Sequence, residues 1–157
     1  MKRFVIFSAA ILSFAACTSQ PGKNEEGSTT GKIRGGGQAP AVETICFQKL
    51  AGTANQDTTS LSLIIDGDKV SGDLAHYPME KDSRVGKINA TKNGELIKGV
   101  WVYMQEGITD TLKVEFKMEG VKLVQKNYTI DSKTGREIFS DASVFNIEFE
   151  RVPCKNL

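Results

Sequence analysis

The chain has 157 residues, of which 39% are hydrophobic and 25% charged, and its formal net charge is +1. That length and balance describe one folded domain, and they exclude the basic surface that nucleic-acid binders carry. A membrane-crossing helix needs about 20 consecutive apolar residues, and no run in this chain is that long.

The first element is residues 1–16. Lys2-Arg3 precede an apolar run from Phe4 to Ala16 that closes on Ala15-Ala16. A charged start, a short apolar middle and a small-residue end are the parts of a secretory signal peptide. Its removal takes away Lys2 and Arg3, leaving 18 of the 20 basic residues against 19 acidic ones. The mature chain is then close to neutral, which again gives nucleic acid no electrostatic footing.

The residues Phe14-Ala15-Ala16-Cys17 resemble the lipobox of bacterial lipoproteins, with Phe14 where leucine is usual. The resemblance implies that Cys17 is lipidated and becomes the mature N-terminus. Acyl chains make a durable anchor, because each buried methylene adds about 0.8 kcal/mol of membrane affinity. Thr18 stands where an aspartate would mark inner-membrane retention, so the resemblance implies an outer-membrane lipoprotein. Lys23-Asn24-Glu25-Glu26 is similar to the acidic signals that send lipoproteins to the surface of Bacteroidetes-like cells. The plainer alternative is a solvated tether. The expected location is the cell envelope, on the periplasmic face or the cell surface.

Residues 17–43 read as that tether. From Thr18 to Glu43 there are six glycines and two prolines, with Ile33 and Val42 as the large apolar exceptions. Such a segment cannot bury enough surface to offset its ordering entropy, and its root-mean-square reach is roughly 25–30 Å. Gly35-Gly36-Gly37 has neither the Lys-Ser/Thr ending nor the preceding strand of a phosphate loop.

Residues 44–157 read as a β domain. The first strand is Thr44 to Leu50. Leu61, Leu63 and Ile65 then alternate with polar neighbours, and Asp66-Gly67-Asp68 is a hairpin turn signal. As a calcium loop that turn fails, since Val70 stands where a ligand belongs and Ser71 where glycine is required. Further strands are read at Lys69 to Tyr77, Val85 to Thr91 and Glu95 to Gln105, with Asn93-Gly94 a strong hairpin signal. Leu112, Val114, Phe116 and Met118 mark the next by strict alternation. Val121 to Ile130 follows Glu119-Gly120, and the last strand, bearing Phe145, Ile147 and Phe149, follows a long loop from Asp131 to Ala142. Glycines inside strands, at Gly72, Gly86 and Gly99, signal bulges or sharp bends. The expected fold is all-β, an eight-stranded antiparallel meander closing into a small lipocalin-like barrel, because closure removes exposed edges. A two-sheet β-sandwich is the alternative.

With Cys17 acylated, Cys46 and Cys154 remain. In an oxidising compartment they are expected to form a disulfide across the seam where first and last strands meet. The alternative, a zinc site, would want four ligands, and the chain offers two thiols and one histidine. His76 lies near Ser71 and Asp73 but in no triad motif. Glu148 and Glu150 read as solvated rather than as a glycosidase pair. No catalytic residue, metal ligand or cofactor is assigned. Val100-Trp101-Val102-Tyr103-Met104 is apolar on both faces. Trp101 then either fills the core or lines a ligand cavity, and an eight-stranded barrel holds at most one small ligand. The candidate ligand-facing residues are Trp101, Tyr103, His76 and Tyr77, with the loops Tyr77 to Arg84 and Asp131 to Ala142 as contact regions.

The residues Val70-Ser71-Gly72-Asp73, Glu80-Lys81-Asp82, Gly86, Glu106-Gly107 and Glu115-Phe116-Lys117, bracketed by Cys46 and Cys154, resemble a family of uncharacterised Bacteroidetes-type lipoproteins. That resemblance implies no activity. The expected function is non-enzymatic: a lipid-anchored barrel that binds a small apolar ligand or an envelope protein. The alternative is an inhibitor of a cell-wall hydrolase such as lysozyme, by architectural resemblance to small disulfide-bonded lipoprotein barrels.

Overall fold

Alternation of apolar and polar residues carries through into ten strands, seen in a computed structural model that describes residues 41–156. The expected signal peptide, Cys17 and the expected tether up to residue 40 lie outside the described residues. The strands are β1 (Glu43–Ala51), β2 (Asp57–Asp66), β3 (Lys69–Tyr77), β4 (Arg84–Asn93), β5 (Leu96–Gln105), β6 (Ile108–Glu119), β7 (Lys122–Lys126), β8 (Thr129–Ile130), β9 (Glu137–Ile138) and β10 (Phe145–Val152). A 3₁₀ turn, Cys154–Asn156, follows.

Eight of the strands form a closed antiparallel barrel in the order β1-β10-β7-β6-β5-β4-β3-β2, and β8 and β9 make a separate hairpin. The closed ring excludes the sandwich. Two-residue turns build one end of the barrel. Asp66↔Lys69, Asn93↔Leu96 and Glu119↔Lys122 close hairpins in which Gly67, Gly94 and Gly120 take positive φ. One end is thus tightly sewn. The other end carries the longer connections, a fourth two-residue turn at Glu106-Gly107, and the β8–β9 hairpin, which belongs to the stretch read as one strand and one loop. β7 stops at Lys126: the Asn127 amide still donates to the Val144 carbonyl, but the Val144 amide is taken by the Asn127 side chain, and the backbone ladder ends there.

The barrel needs its interior glycines. A methyl group built at Gly86 would lie 2.0 Å from the Val102 carbonyl oxygen, and one at Gly72 within 1.9 Å of the Ser62 carbonyl oxygen. The register runs through both positions without a break, so they mark close backbone approach rather than bulges. The register shift among the barrel strands falls in β10, between Phe145 and Ile147.

The sewn half of the interior is solid. Phe47, Phe116, Phe149, Leu63, Ile97 and Leu123 are fully buried there, and Phe116 meets Phe149 edge to face at 6.4 Å. Each such side chain contributes about 1.5–3 kcal/mol. Cys46 and Cys154 form a disulfide beside the β1–β10 seam, with Cα atoms 5.1 Å apart and a sequence separation of 108. The seam itself pairs only Cys46↔Val152, Phe47↔Arg151 and Gln48↔Glu150. A cross-link over so long a loop stabilises by restricting the unfolded chain. Replacing both cysteines by serine in the full chain should lower the unfolding free energy by roughly 2–5 kcal/mol, read from urea denaturation. An unchanged midpoint would mean the seam holds without it.

Candidate functional site

The inward face changes chemistry along its length. On β1 the inward positions run Ile45, Phe47, Lys49; on β2 they run Leu63, Leu61, Thr59; on β3 Val70, Leu74, His76. On β4 the same face carries Ile88 and then Arg84, and on β7 Leu123 and then Gln125. Inward positions recur every second residue, and toward one end of each of these strands they turn from apolar to polar. The antiparallel order gathers all five at the end opposite the tight hairpins.

There the interior is hollow. A cavity of about 180 Å³ is walled by Leu74, Trp101, Leu112, Ile147 and Phe149, and rimmed by Lys49, Thr59, His76, Arg84, Gln125, Tyr128 and Glu137. Thr59 Oγ1 lies 2.8 Å from His76 Nδ1. Gln125 Nε2 donates to the Tyr128 hydroxyl at 3.1 Å, which in turn donates to the Lys113 carbonyl at 2.8 Å. Arg84 donates through Nε to Gln105 at 2.8 Å and through Nη1 to Glu137 at 2.5 Å. Trp101 is 5% exposed, yet its indole Nε1–H has no hydrogen-bond partner among the described residues. A buried donor left unpaired costs about 1–3 kcal/mol, so it stands out in an otherwise satisfied interior.

The β8–β9 hairpin forms a flap at this mouth. It is rigid within itself: Asp131 Oδ1 accepts from the amides of Lys133 and Thr134 and from the Thr134 hydroxyl. Those donors hold the Asp131 carboxyl below the usual carboxylate range. At its base Tyr128 stacks on Phe139 at 5.1 Å. Two ion pairs tie it to the rim, Glu137 to Arg84 and Arg136 to Asp110 at 2.8 Å. Both are partly solvated, and water screens such pairs, a fastening that thermal motion can open.

Of the sequence-predicted ligand-facing residues, Trp101 and His76 line this cavity. Tyr103 is buried next to it: its ring sits 4.6 Å from that of Trp101, and the Arg84 guanidinium lies over it at 5.2 Å. Burial raises the Tyr103 phenol above its ordinary value. Tyr77 is 48% exposed and lies on the outer face, because it follows His76 in a strand and neighbours point to opposite sides. The Tyr77 to Arg84 loop delivers Arg84, and the Asp131 to Ala142 loop delivers Glu137. Glu148 and Glu150 are on the outside, both paired with Lys122. Lys49, Thr59, Arg84, Gln125, Tyr128 and Glu137 were not singled out from sequence. For the first three and Gln125, the signal was a polar residue continuing a strand's apolar phase.

Comparison of the chain with protein-family models, with curated proteins and with solved structures finds no match. The site therefore has to be read from its own geometry.

Burial first, then the charges of Arg84 and Lys49, push His76 below its ordinary value of 6.5, against weaker opposition from Asp57 and Glu137. The unfolded chain then binds a proton at this residue that the folded chain refuses, in a window below pH 6.5. Stability rises with pH across that window and levels off above it. Urea denaturation at a series of pH values should show wild-type stability falling as pH drops below 6.5, with that part of the slope missing in His76→Gln. Identical slopes in the two proteins would contradict a depressed imidazole.

Proposed function

We propose that this chain is a lipid-anchored protein of the bacterial cell envelope whose barrel holds a small ligand in its mouth, without chemical turnover. The observation that carries the ligand reading is the hollow, polar-rimmed end of the barrel with Trp101 in its wall. Ligand sites combine mostly apolar walls with a few convergent polar groups, and this one has both. The flap supplies a route for entry, since the ion pairs that hold it to the rim are partly exposed. The envelope reading rests on residues 1–17 and is supported by the disulfide, which persists in oxidising compartments. The chain enters the barrel at Glu43, at the end opposite the mouth.

A protein partner is the second reading. Outside the barrel near the mouth, Val85 and Met104 are cross-strand partners and both are exposed, as is Ile108 at the following turn.

Trp101 is the only tryptophan in the chain, so its emission reports directly on the cavity. Titration of the full chain, in detergent, with a panel of small polar and apolar envelope metabolites should produce a saturable change in emission with at least one class. A flat response to every class would remove the ligand reading. Mass spectrometry of the N-terminal peptide tests the anchor: a diacylated Cys17 is expected, and a free thiol there would end it.

A further inference from the structure

Three charged groups face the cavity, and they do not cancel. Arg84 and Glu137 neutralise each other across 2.5 Å. Lys49, on the same inward face as Ile45 and Phe47, has no ion pair among the described residues. An ammonium is a donor with no acceptor capacity, and Lys49 is half-buried at the rim. A ligand that meets it gains most by bringing an acceptor with negative charge.

The walls define the rest of the ligand. Leu74, Leu112, Ile147, Phe149 and the Trp101 ring are apolar, so a bare inorganic anion would leave most of the space wet. The cavity measures about 180 Å³, and an apolar cavity of about 150 Å³ is enough for a benzene ring. There is room for one ring or a short branched chain carrying a single carboxylate. Lys49, whose charge adds to burial and Arg84 in depressing His76, is the unpaired charge such a carboxylate would meet.

We propose, resting on the small-ligand reading above, that the cavity binds a small organic carboxylate with a compact apolar body, with Lys49 as its counter-ion and the Trp101 ring as part of its apolar wall. Glu137 stays on Arg84 and keeps that guanidinium from competing, so the anion is directed to Lys49. A cationic ligand of the same size finds only the already-paired carboxylate of Glu137.

The test uses four probes that share a ring and differ in one group: benzoate, benzamide, benzyl alcohol and benzylamine. Each is titrated into the full chain in detergent and followed by Trp101 emission and by calorimetry. A charge-assisted hydrogen bond is about twice as strong as a neutral one, so benzoate should bind on the order of tenfold more tightly than benzamide, with benzylamine the weakest. Lys49→Met should erase the preference for benzoate while benzamide still binds, and Lys49→Arg should restore it. Retained benzamide binding in Lys49→Met also shows that the variant folds. Equal binding of benzoate and benzamide by the wild type, or a preference that survives Lys49→Met, overturns the carboxylate assignment and leaves the ligand reading standing. Silence from all four probes overturns the assignment too, and the broader panel then decides whether the cavity binds anything.

Discussion

The seam between β1 and β10 is the shortest pairing of two long strands in the barrel and the one on which the interior depends. Nine residue pairs join β1 to β2, but only three join β1 to β10. Without those three, Phe47 and Phe149, the fully buried phenylalanines of the two seam strands, would face water. The disulfide beside the seam limits how far the ends can separate even when the ladder opens. Closure is also what turns a sheet with one apolar face into a container with an inside.

That inside is divided along the barrel. Toward the tight hairpins it is filled by phenylalanine and branched aliphatic side chains at interior density. Toward the mouth the same inward positions are occupied by Lys49, Thr59, His76, Arg84 and Gln125, whose long or polar side chains reach for water and for one another instead of packing. The space they fail to fill is the cavity. Gly72 and Gly86 contribute from the backbone: their strands approach neighbouring carbonyls too closely for any side chain, which sets the curvature that closes an eight-stranded ring. The Trp101–Tyr103–Arg84 stack then holds the indole against the cavity wall. Stability and site are therefore built from one set of positions, read at two ends.

Much of this was legible in the residues themselves. Alternation at Leu112, Val114, Phe116 and Met118 located β6, and the glycine turns at Gly67, Gly94 and Gly120 located three hairpins. The pairing of Cys46 with Cys154 followed from a meander whose ends must meet. The end of β7 was less legible: Gln125 to Ile130 looks like strand throughout, and what stops it is the contact of Asn127 with Val144, a residue 17 positions away. The β8–β9 hairpin was hidden for the same reason, since two-residue strands leave no periodic trace. Tyr77 shows the opposite case. Period-two facing alone separates it from His76, and its exposure on the outer surface follows from adjacency.

The sequence by itself determined the class of fold, the number of barrel strands and which residues of each face inward, because those depend on nearest-neighbour chemistry with a period of two. Tertiary structure alone decided which inward residues share a level of the barrel. That depends on cross-strand register, and register brings Lys49, His76, Arg84, Gln125 and Trp101 to one mouth from five different strands. It also decided that Trp101 would line a space rather than fill one. Whether an indole is core or wall is set by the volumes of the side chains arriving from the other strands, and no local pattern records their sum.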